Sequence, residues 1–282
     1  MAHSVKRRFA KKIIRRGYLS NLILKLYPIA IESSLPGLTR SRVDELRQLF
    51  PLSINQELEL IRLGSLGDGG YLLHNDFSKE DYCLSLGIGD NFSFDLAISD
   101  KCKEVWMFDH TIDDPQIKDG KIKFHNVGIA TTIQSKFTTI SKILEGIPKE
   151  NDIILKIDIE GSEWGVLRNL SSSDLNRCKQ IVAEFHNLHN IADDHFFDLV
   201  SKSLSNLNNS HDLINVHVNN WSSLHLIQGV PVPDVIEVTY IRRKPNLQTI
   251  GRAVSIQRTG DLPNNLDLPD YSSNFINLLK IY

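Results

Sequence analysis

The middle of the chain alternates between short apolar runs and longer segments in which apolar residues recur at helical spacing. The short runs predict strands and the recurrent spacing predicts helices, an alternation typical of an α/β domain with a largely parallel sheet. The predicted strands lie at Tyr82–Ile88, Val105–Asp109, Ile122–Val127, Ile153–Ile159, Gln180–Phe185, Leu213–Val218 and Val235–Ile241. The predicted helices lie at Phe92–Lys101, Thr138–Glu145, Glu163–Leu170 and Asp194–Leu207.

The segments on either side of this pattern differ from it. Gly67, Gly69 and Gly70 lie between apolar residues just before the first strand, which predicts a small hairpin. After Arg243 the chain is rich in proline and irregular. We therefore expect an N-terminal helical extension over 1–54, an α/β domain over 55–245 and an irregular tail over 246–282.

The N-terminal extension is strongly basic, although the whole chain has a net charge of −2. Apolar residues from Phe9 to Leu26 recur at roughly helical spacing, so we expect an amphipathic helix. Such a helix can lie on an anionic membrane surface, or it can pack against its own domain or a second subunit. The stretch Tyr18–Ile31 is too short and too polar to span a bilayer or to serve as a signal peptide. The basic residues are Lys6, Arg7, Arg8, Lys11, Lys12, Arg15 and Arg16.

Composition narrows the class of protein. With 282 residues, 41% of them hydrophobic and 23% charged, the chain is of the ordinary globular type. Its three cysteines are widely spaced, which favours neither a disulfide framework nor a zinc knuckle and fits the cytoplasm. Basic and aromatic residues do not interleave beyond the N-terminus, so we expect no nucleic-acid partner.

The stretch "ILKIDIEGSEWGVL" places three charges at alternate positions of a predicted buried strand. Alternate residues of a strand share a face, so Lys156, Asp158 and Glu160 point the same way. A buried parallel strand tolerates charges only near its carboxyl end, where such sheets bind their ligands. Asp158 and Glu160 are therefore predicted to line a site, and Lys156 is predicted to pair with a neighbouring carboxylate.

A second stretch, "CLSLGIGDNFSFDLAI", predicts a nucleotide-like ligand. The turn through Gly87 and Gly89 lets backbone approach a ligand closely, and Asp109 at the end of the next strand can accept hydrogen bonds from ribose hydroxyls. Phe92 occupies the position of the third glycine in the dinucleotide pattern. This favours S-adenosylmethionine, which has no pyrophosphate, over a dinucleotide.

Further chemistry follows on the next strands. In "IVAEFHNL", Glu184 and His186 are two residues apart and are predicted to face the same crevice as Asp158, and His217 of "NVHVNN" is predicted to reach it. These groups can accept the proton of an alcohol. Alternatively, Asp158, Glu184 and His186 can hold magnesium or manganese. The spacing does not separate the two mechanisms.

The chain from about Leu60 to Arg243 resembles the FkbM-type S-adenosylmethionine-dependent methyltransferases. The resemblance rests on "DGGYLL", "SLGIGDNFSFD", "FDHT", "FHNVGIA", "ILKIDIEGSEWGVL", "IVAEFHNL" and "PDVIEVTYIRR". It implies a class I methyltransferase, Rossmann-like fold of seven strands, the last one antiparallel. It also implies O-methylation, with acceptors that include sugars of bacterial surface glycans.

On this basis we expect an O-methyltransferase in glycan biosynthesis that acts on a hydroxyl group of a sugar or glycan. In one form of this hypothesis the acceptor is a lipid-linked glycan, and the enzyme works at the inner face of the membrane. The alternatives are a metal-assisted O-methyltransferase on another small molecule and a non-catalytic glycan-binding module. Under each of these functions the chain can form an oligomer. The resemblance implies cofactor contacts by Asp68, Tyr71, Gly87, Gly89, Asp90, Asp109, Asn126 and Gly128. The candidate catalytic residues are Asp158, Glu160, Glu184, His186 and His217.

Overall fold

A computed structural model describes residues 30–33, 40–53, 58–66, 68–219, 222–227 and 230–244. The predicted basic helix before residue 30 and the predicted tail over 246–282 lie outside these residues. Within the described ranges, no helix is long and apolar enough to cross a membrane.

The described residues form fourteen strands, six α-helices and one 3-10 helix. The strands are β1 (Ala30–Ser33), β2 (Leu60–Gly64), β3 (Gly70–His74), β4 (Tyr82–Leu86), β5 (Glu104–Phe108), β6 (Ile122–His125), β7 (Gly128–Ile129), β8 (Phe137–Thr138), β9 (Ile153–Ile157), β10 (Cys178–Phe185), β11 (His211–Val218), β12 (Leu224–Ile227), β13 (Val230–Pro233) and β14 (Ile236–Arg242). The helices are α1 (Arg40–Gln48), α2 (Ser93–Ser99), α3 (Ile140–Leu144), α4 (Glu163–Asn169), α5 (Ser172–Leu175), the 3-10 helix (Leu188–Ala192) and α6 (Asp194–Asn208).

Seven strands form the main sheet in the order β11-β14-β10-β9-β4-β5-β6. Neighbouring strands are parallel except around β14, which runs antiparallel to both β10 and β11. Numbered along the chain, the seven strands therefore lie in the order 3-2-1-4-5-7-6, with the last strand antiparallel. This confirms the predicted α/β, class I methyltransferase fold, and each strand and helix predicted between Tyr82 and Ile241 appears within a few residues of its predicted bounds.

The central strand β9 is buried on both faces, as its sequence of apolar residues predicts. Leu155 packs into the core on one face, which includes Trp164 of α4, and Ile154 packs into the core on the other, which includes Phe94 of α2. Trp164 is fully buried, and its ring centroid lies 4.4 Å from that of Phe185. In the described part of the chain, helices thus cover the sheet on both sides and leave its strand ends open to ligands.

The predicted glycine hairpin is present as the antiparallel pair β2 and β3. Two side chains of the main sheet hold it: Thr239 Oγ1 donates to the carbonyl of Leu72 at 2.6 Å, and Gln180 bonds the backbone of His74 in both directions at 2.9 Å. The hairpin therefore packs over the second face of the sheet and carries its loop towards the strand ends.

The described part of the predicted N-terminal extension includes β1, which pairs with β12, and α1. Arg42 of α1 donates to the carbonyl of Ala192 at 2.8 Å, forms an ion pair with Asp194 and lies over the ring of Phe197. Helix α1 therefore packs against the α/β domain, next to the start of α6.

The core position of β9 can be tested by truncation. Leu155 is fully buried, so Leu155→Ala should lower the free energy of unfolding by about 2–5 kcal/mol, because it leaves a cavity. Leu96 on α2 is 43% exposed, and Leu96→Ala should cost about 0.5 kcal/mol. Urea unfolding followed by circular dichroism measures both. Equal costs would contradict the placement of β9 at the centre.

Candidate active site

A cavity of about 470 Å³ opens at the carboxyl ends of β4, β5 and β9. Its walls come from the loops that follow these strands, from the hairpin loop and from Gly128 and Ile129. In parallel α/β sheets this edge is where ligands bind, because the loops diverge there and leave a crevice.

The loop after β4 needs glycine at two positions for different reasons. Gly87 has φ +75°, and a Cβ there would lie 1.6 Å from the carbonyl oxygen of Asp158. Gly89 has φ +58°, and a Cβ there would meet no atom of the described residues within 4 Å. Gly87 therefore permits the loops after β4 and β9 to touch, whereas Gly89 borders open space in which a ligand can approach the backbone.

Asp109, at the end of β5, ties its own loop to the glycine loop. One carboxylate oxygen accepts the N–H groups of Ile88 at 2.8 Å and Gly89 at 3.0 Å. The other accepts the N–H and the hydroxyl of Thr111 at 2.7 and 2.6 Å. Burial alone would raise the pKa of Asp109, but these hydrogen bonds outweigh it and lower the pKa to about 2.

Most of the predicted cofactor residues line this cavity: Asp68, Tyr71, Gly87, Gly89, Asp90, Asp109 and Gly128. Asn126 is not among the lining residues, because its side-chain amide donates to the carbonyl of Ile112 at 2.7 Å. His110, Thr111 and Lys156 line the cavity without having been predicted to do so.

Asp158 lies just after β9 in a mostly buried setting. The Tyr71 hydroxyl donates to its Oδ2 at 2.7 Å, and Lys156 Nζ lies 3.5 Å from the same oxygen, as the predicted ion pair requires. Lys156 also donates to the carbonyl of Gly87. Burial opposes the charge of Asp158, but Lys156 and the Tyr71 hydroxyl outweigh it and lower its pKa.

His186 stands among the acidic residues that were predicted to be catalytic. Its Nε2 lies 3.6 Å from Glu160 Oε2, 3.7 Å from Glu184 Oε2 and 4.0 Å from Asp158 Oδ1. The structure thus brings four of the five candidate catalytic residues together. We call Asp158, Glu160, Glu184 and His186 the acid–imidazole cluster.

Glu163, which the sequence did not single out, orients this cluster. Its fully buried carboxylate accepts the N–H groups of Ile159 at 2.9 Å and Gly161 at 3.1 Å. The same oxygen lies 3.0 Å from His186 Nδ1. A proton on Nδ1 therefore bonds Glu163 and leaves Nε2 facing the acids. In the sequence, Glu163 is recognisable only as an acid in the first turn of α4, a position at which acids are common in any helix.

The charges of the cluster are interdependent. Burial alone would lower the pKa of His186, but the hydrogen bond to Glu163 and the charges of Glu163, Glu184 and Asp158 outweigh it and raise the pKa to about 9. Burial and the charges of Asp158 and Glu237 raise the pKa of Glu184. At neutral pH the imidazole is thus held as a cation by its acidic neighbours.

His217 is not among the residues that line the cavities described here, contrary to the sequence prediction. It lies on β11, directly opposite Glu237 of β14, and Glu237 lies opposite Glu184 of β10. Because β14 is inserted between β10 and β11, His217 is one strand further from the crevice than its place in the chain suggests. Burial raises the pKa of Glu237 to about 7, against the opposing charge of Arg62.

A second cavity of about 360 Å³ adjoins the first and shares Asp68, Glu160 and Glu184 with it. Its other lining residues are polar apart from a valine: His186, Asn187, Asn219, Ser222, Asp234 and Val235. The acid–imidazole cluster therefore lies where two ligands can meet.

The first cavity is acidic. The only lysine or arginine among its described lining residues is Lys156. The carboxylates of the lining are Asp68, Asp90, Asp95, Asp109, Asp158, Glu160 and Glu184. Such a wall favours a cationic ligand and disfavours a pyrophosphate.

The acid–imidazole cluster also has the chemistry of a cation site. One ligand atom each of Asp158, Glu160 and His186 lie within 4.8 Å of one another. The sequence predicted Asp158, Glu184 and His186 as ligands, and the group that converges in the structure contains Glu160 in place of Glu184. Carboxylate oxygens with one imidazole suit magnesium or manganese, so these residues fit the predicted ion.

Comparison with known proteins identifies the family of the chain. The model of the family described as Methyltransferase FkbM domain matches residues 70–210, half of the chain. The human methyltransferase-like protein 24 is 28% identical over 134 residues, which are 43% of this chain and 37% of that protein. The chain thus spans little more than a third of the length of this relative.

Solved structures are similar at low identity. The N-methyltransferase NodS from Bradyrhizobium japonicum is 8% identical with a TM-score of 0.35, over 73% of this chain and 96% of that one. SMU.1697c from Streptococcus mutans, in complex with S-adenosylhomocysteine, is 10% identical with a TM-score of 0.32, over 59% of this chain and 89% of that one. The fold assignment rests on the strand order of this chain itself.

The contact between the two loops can be tested at Gly87. Gly87→Ala should lower the free energy of unfolding by at least about 1–2 kcal/mol, because alanine is strained at positive φ and its Cβ overlaps the Asp158 carbonyl. Gly120→Ala is the matched control, since a Cβ there meets nothing within 4 Å in the described part of the chain, and should cost about 0.5 kcal/mol or less. Urea unfolding compares them. If Gly87→Ala were as stable as the control, the loops would not touch as described.

Proposed function

Because the chain belongs to the FkbM methyltransferase family, we propose that it transfers a methyl group from S-adenosylmethionine to a hydroxyl group of a sugar or glycan. The observation that carries this proposal is the acidic cavity at the ends of β4, β5 and β9. S-adenosylmethionine carries a sulfonium cation, which such a wall stabilises.

The donor would occupy the first cavity. Gly89 offers open backbone, and Asp109 would accept a ribose hydroxyl in place of the Thr111 hydroxyl while it holds the glycine loop in place. Lys156, the cation of the lining, would pair with the carboxylate of the methionine portion. The methyl group would then point towards the acid–imidazole cluster.

The acceptor would occupy the second cavity. Asn187, Asn219 and Ser222 offer hydrogen-bonding groups, and the shared residues Glu160 and Glu184 bring the two ligands side by side. A polar wall of this kind suits a molecule with several hydroxyl groups, because each buried hydroxyl needs a partner. This supports a sugar or glycan as the acceptor.

In the proposed reaction, the acceptor oxygen attacks the methyl carbon as the bond from carbon to sulfur breaks, and S-adenosylhomocysteine leaves. The hydroxyl proton passes to Nε2 of neutral His186. The hydrogen bond from Nδ1 to Glu163 stabilises the imidazolium that forms, and the carboxylates of Asp158 and Glu184 add to this. Alignment of the two ligands supplies a further part of the rate.

A metal-assisted reaction is the second candidate, because Asp158, Glu160 and His186 converge closely enough to hold an ion. A divalent cation there would polarise the acceptor hydroxyl. In the metal-assisted reaction His186 would bind the ion and would not act as the base.

Donor binding tests the first half of the proposal. Calorimetry should show binding of S-adenosylmethionine and S-adenosylhomocysteine but not of NAD. Asp109→Ala should weaken binding at least about tenfold, because charge-assisted hydrogen bonds contribute about 1.5–3 kcal/mol each. Asp114→Ala, in the exposed loop that follows, is the control and should bind normally. Preference for NAD would overturn the cofactor assignment.

The pH dependence of turnover tests the base. His186 must lose its proton before it can accept one, so kcat should rise from pH 7 towards pH 9 and then level off. Glu163→Gln removes a neighbouring charge and should shift this rise to lower pH. His186→Ala should lower kcat about 10²–10⁴-fold with little change in donor affinity.

Two outcomes would contradict His186 as the base. A flat profile, together with a large loss of kcat in Asp158→Asn, would assign proton removal to Asp158. Loss of turnover after chelation, restored by magnesium or manganese, would assign the cluster to an ion.

A further inference from the structure

We propose that His189, His225 and Asp234 bind a transition-metal ion of the zinc class, at a site distinct from the acid–imidazole cluster. One ligand atom of each residue lies within 4.8 Å of the other two. His189 belongs to the 3-10 helix after β10, His225 to β12, and Asp234 to the turn between β13 and β14. An ion there would join the 3-10 helix to the hairpin of β12 and β13, which is distant from it in the chain.

The arrangement of the ligands is compact. His189 Nδ1 lies 2.5 Å from Asp234 Oδ1, and the rings of His189 and His225 are stacked with centroids 4.3 Å apart and an interplanar angle of 12°. Two imidazoles and one carboxylate form a common donor set for zinc and neighbouring metals. Metal–ligand bonds of about 2.0–2.2 Å separate two ligand atoms by roughly 3 Å, and a metal lies in the plane of each imidazole that binds it. One of the two stacked rings would therefore turn out of the stack when the ion binds.

A second observation supports an ion at this position. His225 is only 7% exposed, and its buried Nδ1 has no hydrogen-bond partner among the residues that the structure describes. Buried ring nitrogens without a partner are rare because they are costly. Its Nε2 is held by Ser223 Oγ at 3.0 Å, which leaves Nδ1 as the metal ligand.

Ser223 supports the site from outside. Its Oγ lies 3.0 Å from His225 Nε2 and 3.4 Å from Asp234 Oδ2. Hydrogen bonds from a neighbouring residue to the metal ligands fix the ring orientation of a metal-bound histidine and the position of a ligating carboxylate. Two of the three proposed ligands, His225 and Asp234, are therefore held together by a neighbour that binds no metal itself.

The proposed metal site lies beside the second cavity, where a bound ion would stabilise the cavity wall. Asp234 also lines the second cavity, and its carbonyl accepts the N–H of Leu188 at 3.0 Å. A bound ion would therefore fix the wall that faces Glu160, Glu184 and His186. Metal binding at this position does not depend on the reaction proposed above.

Metal titration of the full chain tests the proposal. After chelation and dialysis, cobalt(II) should bind and give the visible absorption of a low-coordinate nitrogen and oxygen site, and zinc should displace it. His225→Ala and Asp234→Asn should each reduce zinc affinity at least tenfold. Zinc should raise the melting temperature of the wild type and not that of His225→Ala.

Two controls locate the ion. His195→Ala removes an exposed histidine of α6 and should leave binding unchanged. His186→Ala should also retain the ion, since His186 belongs to the acid–imidazole cluster. The proposal is overturned if zinc binds His225→Ala as tightly as the wild type, if His186→Ala alone abolishes binding, or if the wild type binds no zinc. Circular dichroism establishes that each variant is folded.

Discussion

The carboxylate of Glu163 is the contact on which the arrangement of the site depends. From a fully buried position it accepts two backbone N–H groups of the loop after β9 and faces the imidazole of His186. Glu160 in that loop adopts φ of +54°, a conformation that is costly for a residue with a side chain and needs such support. One buried charge therefore fixes the backbone on one strand and the ring orientation on the next.

Much of the fold was predictable because its signals are local. Each parallel strand is a short apolar run, and charges at alternate positions near a strand end identify the ligand edge. Asp158, Glu184 and His186 follow from that rule alone. The mistakes come from information that is not local. The insertion of β14 beside β10 displaces His217, and a loop carbonyl of Ile112 takes the side chain of Asn126.

Residues missed by the sequence share a different property, since their roles appear only when distant segments meet. Glu163 looks like an ordinary acid in the first turn of a helix until His186 is placed beside it. His189, His225 and Asp234 are separated along the chain by loops and by strands of a small second sheet, so their spacing carries no recognisable ligand pattern. Tertiary placement, and not periodicity, determines their chemistry.

The close approach at Gly87 has a mechanical consequence. Its Cα packs against the carbonyl of Asp158, and Lys156 donates to the carbonyl of Gly87 itself, so the loops after β4 and β9 cannot shift independently. A ligand that orders one loop thereby orders the other. The conformational entropy of both loops is then lost when the first ligand binds and not again when the second one binds. Thermodynamic reciprocity then requires that each ligand strengthen the affinity of the other by the same factor. Cooperativity between the two cavities would be a property of the backbone contact itself, without any larger rearrangement of the domain.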